Sequence, residues 1–344
     1  RLVSRVARNH SAKCYGDELD HALIPEIFDL FLHAIQDDES FLYLNAVQGL
    51  AQMAMSWRDA VLRPLMAMYV GGDKTQDGMS HALSYGQELT QRETDQRLRI
   101  GEAILQVLQH LGEAVVSELD RIVPPLLTAV RNPLFSATLR SSFISILGTC
   151  VEIAPTALAA DRSSVHMVHM CTELIQATTE RRAIRQRSRV RASVQGVGAG
   201  GEVTERSLDD EDEEEAMWER EATSGTDRDV HRPQLRRAAL LLLLMLLRAT
   251  QEQLDDYRES CERDLDDIDA PLSALRLPGG GVLPDVHGRA KPTLPPLLVP
   301  VDVLGSVMPV VTYMAQEEAD NVVRVQAQDC IDHIRLVELA YIGL

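Results

Sequence analysis

The chain has 344 residues, a net charge of −18 at pH 7 and an aromatic content of only 4%. That length is too great for one compact core of ordinary size, and the charge argues against a phosphate-binding surface over the whole protein. The apolar content of 45% is enough for folded structure, and the shortage of aromatic residues favours Leu- and Ala-rich helices over a β-sandwich. Five scattered cysteines without C-x-x-C spacing predict neither a disulfide framework nor a zinc site, and they fit a reducing compartment.

The first half of the chain shows helical periodicity. Apolar residues at helical spacing predict helices over 20–35, within the stretch 36–53, and over 59–70, 94–111, 113–130 and 136–153. Ser40, after an acidic turn, is the predicted N-cap of the second helix. Pro124 and Pro125 predict a kink in the fifth. A further helix is predicted from Pro155 to about residue 185, and the polar, Gly-bearing stretch 71–91 is predicted to be a loop.

The composition changes sharply after residue 180. Six arginines lie within 181–191 and seven consecutive acids within 209–215, so residues 192–230 are predicted to be disordered. Helices are then predicted over 233–250, 252–265, 302–315 and 321–337, with a Pro- and Gly-rich loop at 271–300. The predicted organisation is therefore helical repeats over 1–191, an acidic insert over 192–230, and more helical repeats over 231–344.

One pattern returns in the second helix of each predicted pair: an apolar residue, usually Arg next, and a small or apolar residue three positions later. Its copies begin at residues 42, 98, 139, 235 and 323. The second position is occupied by Tyr43, Arg99, Arg140, Arg236 and Arg324. The residues predicted to close the turn before the helix include Asp38, Asn132 and Asp320. Gly49 and Gly148 are predicted to let neighbouring helices approach closely.

This pattern resembles the HEAT repeat, in which the Arg head bonds the turn of a neighbouring pair. Copies at 98 and 139 are 41 residues apart, within the range of about 40–47 for such repeats. The predicted fold class is therefore all-α, an α-solenoid of HEAT-like helix pairs with long loop insertions.

The run at 37–51, which includes Tyr43 and Gly49, looks like the first signature of the RNA polymerase II assembly factor family. Its animal members are called transport and Golgi organisation protein 6. Residues 98–105 are close to a second family helix, and 236–241 with 320–331 look like a conserved C-terminal block. The resemblance covers about two thirds of the chain.

The resemblance implies a non-enzymatic role without a cofactor. It implies protein partners, namely RNA polymerase II subunits and their assembly chaperones, with help in assembly and nuclear import from the cytoplasm. The animal branch implies an alternative role in secretion and Golgi organisation, with membrane association left open. Direct nucleic-acid binding and an obligate homo-oligomer are not expected.

Other features allow more than one interpretation. Gly196, Gly198 and Gly201 fit G-x-G-x-x-G, but their surroundings favour a flexible linker. His166 and His169, near Cys171, are either part of a metal site or ordinary surface residues.

Two features fall around the predicted insert. The Arg cluster at 181–191 is interpreted as a solvated helix end, an import-signal-like patch or an anion site. Met217 and Trp218, at the edge of the acidic run, are candidate partner-binding residues, because an aromatic side chain among acids can anchor a partner on folding.

Overall fold

The computed structural model describes residues 17–37, 39–71, 89–176, 233–266, 294 and 296–343. Within these ranges every regular element is helical, which confirms the all-α prediction. The helices are α1 Asp17–Ile35, α2 Ser40–Ser56, α3 Arg58–Val70, α4 Gln91–Leu111, a 3₁₀ helix Gly112–Glu118, α5 Leu119–Arg131, α6 Ala137–Ile153, α7 Pro155–Ala160, α8 over 163–176, α9 Pro233–Asp266, α10 Val301–Glu317 and α11 Asn321–Ile342.

The helices pack in two rows. Helices α1 and α2, α3 and α4, α5 and α6, and α10 and α11 contact each other as consecutive pairs. The second members, α2, α4, α6, α9 and α11, each contact the next in that order. The first members α1, α3 and α5 also contact one another in order, and Arg131 of α5 pairs with Glu173 of α8 at 2.8 Å. Each copy of the sequence pattern therefore lies on a second-row helix.

A single hydrophobic cluster runs through both rows, from Ile24 in α1 to Val337 in α11. Stacking creates it, because one amphipathic pair alone leaves its apolar faces exposed to water. Ten consecutive apolar residues, 238–247, lie within α9, where Leu240, Leu243 and Leu247 are fully buried against the neighbouring helices. No helix in the described ranges is both long and apolar enough to cross a membrane.

The start of α2 differs from the prediction. Ser40 is the first helical residue, and Glu39 occupies the N-cap without a side-chain bond. Asp37 explains the difference, because its Oδ1 accepts a hydrogen bond from the Glu39 N–H at 2.9 Å and closes the turn one residue earlier.

Four helix predictions were wrong in their boundaries. Residues 112–118 form a 3₁₀ helix, and α5 begins at Leu119 with both prolines inside it. The helix predicted from Pro155 breaks at 161–162, where Arg162 adopts a φ of +58°. The helices predicted over 233–250 and 252–265 are the single helix α9, because no Gly or Pro interrupts them and the Thr250 hydroxyl donates to Leu246 O at 2.7 Å.

The predicted insert at 192–230 lies outside the described residues, as do most of the predicted loops at 71–91 and 271–300. The end of the second loop is described: Leu298 and Val299 are buried against α9, and their backbone N–H groups donate to Gln253 Oε1 and Thr250 Oγ1.

Candidate protein-binding surface

The repeat arginines lie at the end of the stack where the turns within the pairs meet. Arg99 in α4 donates from Nη1 to Asp37 O at 2.9 Å and to Ile35 O at 3.5 Å, so it bonds the turn of the preceding pair. Arg140 in α6 is buried and donates from Nε to Val130 O at 2.6 Å, within its own pair. These contacts satisfy carbonyls that a helix end leaves without an intrahelical partner.

Arg236 at the start of α9 reaches forward to the next pair. Its Nη1 forms an ion pair with Glu318 Oε2, in the turn between α10 and α11. The neighbouring Arg237 pairs with Asp320 at 2.5 Å, while Asp320 also caps α11 by accepting from Val322 N and Val323 N. The Arg237 bond and these backbone bonds lower the pKa of Asp320.

The remaining copies show more local contacts. Arg324 is exposed and donates from Nη2 to Asn321 Oδ1 in its own helix. Asn132 accepts from the Leu134 N–H at 3.0 Å, which closes the α5–α6 turn, while Ser136 caps α6. The N-cap of α4 is Thr90, which forms a reciprocal capping box with Glu93.

Tyr43 takes the place of Arg in the first copy and joins the first two pairs. Its O–H donates to Glu102 Oε2 in α4, one helical turn from Arg99. Burial, followed by this hydrogen bond, raises the pKa of Tyr43. The phenol therefore remains a neutral donor to a carboxylate, where the other copies use a cation.

Both predicted glycines lie where another helix presses closely. The Phe31 ring of α1 occupies the position that a Cβ on Gly49 would take. Met245 Sδ of α9 lies 3.2 Å from the corresponding Cβ position of Gly148. Gly101 is a third such residue, with the Tyr69 ring 2.7 Å from its Cβ position.

The sequence did not identify Tyr69, which connects α3 to α6. The side chain is fully buried at the end of α3, its ring packs edge-to-face on Phe143 at 4.7 Å, and its hydroxyl shares a 2.6 Å hydrogen bond with Ser142. The signal was Gly101, a glycine inside a helix, where it costs about 1 kcal/mol relative to Ala.

The exposed side of the second row is the candidate binding surface. We call it the second-helix surface; its exposed residues at seven-residue spacing are Phe41, Gln48 and Met55 in α2, Asp95, Glu102 and Gln109 in α4, Ser145 and Glu152 in α6, and Gln234, Leu241, Arg248 and Asp255 in α9. Acids outnumber bases among these residues, which disfavours phosphate backbones and favours proteins as partners.

The other candidate residues do not come together as a site. His166 and His169 are exposed on α8 while Cys171 is fully buried, and the described part of the chain has no group of three or more His, Cys, Asp or Glu placed to hold a metal ion. Burial raises the pKa of the Cys150 and Cys330 thiols to about 12, so these thiols remain protonated core residues. Asp38, Met217, Trp218, the glycines at 196–201 and the Arg cluster at 181–191 lie outside the described residues.

The first third of the chain matches a known protein family. The model of a family described as "Required for nuclear transport of RNA pol II C-terminus 1" matches residues 1–114, which in the described structure include α1 to α4. The match confirms the resemblance to the RNA polymerase II assembly factor family over this part of the chain; the link to the animal counterpart stays a prediction. No solved structure matches the chain significantly.

Proposed function

We propose that this protein is a non-enzymatic helical-repeat scaffold that assists RNA polymerase II assembly and nuclear import. The observation that carries the proposal is the family match over residues 1–114. The matched segment contains Tyr43, Glu102 and Arg99, whose contacts join the first two helix pairs. The family resemblance thus falls on residues that hold consecutive repeats together.

The packing supports an α-solenoid of HEAT-like pairs. Second-row helices follow one another from α2 to α11, and Arg99 and Arg236 connect adjacent pairs through their turns. Such stacks present a long, continuous surface on which protein partners bind. The second-helix surface is the proposed binding face, and its acidic character suits proteins with basic segments.

The proposed partners are RNA polymerase II subunits and their assembly chaperones, met in the cytoplasm before nuclear import. The matched family's description refers to nuclear transport of RNA polymerase II and does not mention the secretory pathway, so the polymerase role takes precedence over the Golgi alternative. The protein acts without a cofactor and without an obligate homo-oligomeric state under this proposal.

Affinity purification of the full chain with quantitative mass spectrometry tests the proposal. A Gln48→Arg, Gln109→Arg variant adds two positive charges to the second-helix surface. A matched control, Glu26→Gln with Asp29→Asn, changes the net charge by the same amount on α1, where both residues are exposed.

We expect polymerase subunits to be enriched with the wild type and the control, and depleted with the surface variant. Absence of polymerase subunits and assembly chaperones from the wild-type purification contradicts the proposed function. Equal enrichment by all three proteins contradicts the second-helix surface as the binding face.

A further inference from the structure

Helix α11 differs from the inner second-row helices in how much of it is exposed. Helices α4, α6 and α9 each have a second-row neighbour on both sides, whereas the main contacts of α11 within the described ranges are with α9 and α10. In α6 only Ser145 and Glu152 are exposed, but about half of the α11 circumference is exposed. Among the residues that the structure describes, one whole face of this helix is therefore exposed.

The residues on that open face follow a heptad pattern. Successive positions three and four residues apart form what we call the α11 seam: Val322, Val325, Asp329, Asp332, Leu336 and Leu339. The four apolar members are 47%, 61%, 44% and 66% exposed, in chain order. Single exposed apolar residues are ordinary, but apolar residues in a and d spacing over about 25 Å of helix form the contact stripe of a coiled coil.

The centre of the α11 seam is acidic. Asp329 and Asp332 fill one a and d layer between the Val pair and the Leu pair, and both are exposed. The Asp332 carboxylate accepts a hydrogen bond from Gln328 Nε2 at 3.1 Å. It also lies 3.7 Å from Arg335 Nη1, and an exposed ion pair of this kind contributes little to stability. These contacts leave the acidic layer accessible to a partner.

Charge decides which partner fits. A second copy of α11, parallel or antiparallel in register, places the four Asp carboxylates of the two helices in one layer. Like charges in such a layer disfavour self-pairing, whereas Lys or Arg at the matching positions of another helix complements it. The apolar residues on both sides of the layer supply the burial that a hydrophilic patch lacks.

We propose that the α11 seam docks an amphipathic helix of another protein, with apolar residues at its outer a and d positions and Lys or Arg in its central layer. The inference rests on the scaffold role proposed above but does not depend on RNA polymerase II as the cargo. The docked helix extends the second row by one member and lies on α11 much as α11 lies on α9.

The probe is a synthetic helical peptide of three heptads, with Leu at a and d and Lys in the middle layer, labelled for fluorescence anisotropy. A second peptide carries Glu in place of Lys. Both are titrated with the full chain, with Asp329→Lys, Asp332→Lys, and with Leu336→Ser, Leu339→Ser. Leu30→Ser, an exposed apolar residue on α1, is the matched control, and circular dichroism checks that each variant is folded.

The Lys peptide binds the wild type at least about tenfold more tightly than the Glu peptide. The Asp→Lys variant reverses this preference, the Leu→Ser variant weakens Lys-peptide binding by at least about tenfold, and Leu30→Ser leaves it unchanged. Equal binding of both peptides, no reversal by the charge swap, or wild-type self-association abolished by the Leu→Ser variant overturns the proposal. If the wild type does not bind the peptide but still enriches polymerase subunits, only the α11 seam proposal is contradicted. If it binds the peptide but does not enrich polymerase subunits, only the proposed polymerase role is contradicted.

Discussion

The ion pair between Arg236 and Glu318 offers the sharpest stability prediction. The two side chains are only 7% and 1% exposed, so both charges are largely out of water. Arg236→Met keeps most of the aliphatic volume but removes the Arg236 Nη1 contact with the buried Glu318 carboxylate. Removing one partner of a buried pair costs about 3–5 kcal/mol.

The natural control is the pair between Arg121 and Asp59, in which the side chains are 63% and 61% exposed. Arg121→Met is expected to cost less than about 1 kcal/mol, because water solvates the remaining Asp59. Guanidinium denaturation of the full chain, followed by circular dichroism, measures both changes. Hydrogen exchange locates the loss, which for Arg236→Met is expected at the junction of α9 with α10 and α11.

A double-mutant cycle isolates the pair itself. Arg236→Met combined with Glu318→Leu removes both buried charges of the pair, so the double variant is expected to be more stable than Arg236→Met alone. The double variant is still expected to be less stable than the wild type, because Glu318 Oε1 also accepts a hydrogen bond from the Ala319 N–H at 3.0 Å and Leu cannot replace this bond. Arg236→Met costing no more than Arg121→Met would refute the account of this junction.

The close approach of Phe31 to Gly49 predicts that Gly49→Ala destabilises the protein by about 1–3 kcal/mol, because the Phe31 ring must move. Gly305 in α10 has open space around it, so Gly305→Ala is expected to stabilise the protein by up to about 1 kcal/mol in the same denaturation assay. Gly49→Ala as stable as wild type would contradict the packing. Burial and then the charge of Arg248 lower the pKa of His333 below its ordinary value of 6.5, so the unfolded chain binds the proton more readily and stability falls as pH drops below about 6.5. His333→Gln should therefore lose less stability than the wild type between pH 7 and 5.5, and an identical loss would refute this assignment. Asp320→Ala removes the α11 cap and should speed hydrogen exchange in the first turn of α11, and unchanged exchange would count against the cap.

Most of the fold could be predicted from the periodic spacing of apolar residues within single helices. The Leu-Arg-type pattern identified the second helix of each pair, because apolar spacing and the Arg position are properties of one helix and its own turn. The all-α class followed from the same patterns and from the few aromatic residues. Gly49 could be singled out because a glycine inside a helix has a cost that a close neighbour explains, although the sequence did not identify Phe31 as that neighbour.

Contacts between distant segments could not be predicted. Glu318 is not itself a position of the repeat pattern, and its partner Arg236 lies 82 residues earlier in the chain. Tyr69 likewise meets Ser142 across 73 residues. Residue preferences also gave the wrong N-cap at Ser40, because Asp37 accepts the Glu39 N–H and closes the turn. They gave a wrong helix end near Thr250, because this residue is buried and its hydroxyl bonds Leu246 O within a continuous α9.

The binding surfaces needed the packing as well as the pattern. The heptad on the outer face of α11 is readable in the sequence, but α11 also carries the buried residues Val323, Ala327, Cys330, Ile334 and Val337 at the same spacing on its other side. Only the row order shows that one of these two faces lies against α9 and α10 and that the other is open.

The most direct test of the central claim is the location of RNA polymerase II when the protein is depleted from its own cells. Imaging of the largest polymerase subunit is predicted to show accumulation in the cytoplasm and loss from the nucleus. Re-expression of the wild type and the Glu26→Gln, Asp29→Asn control should restore nuclear polymerase, whereas Gln48→Arg, Gln109→Arg should not. Polymerase that stays nuclear after complete depletion would contradict the proposed role.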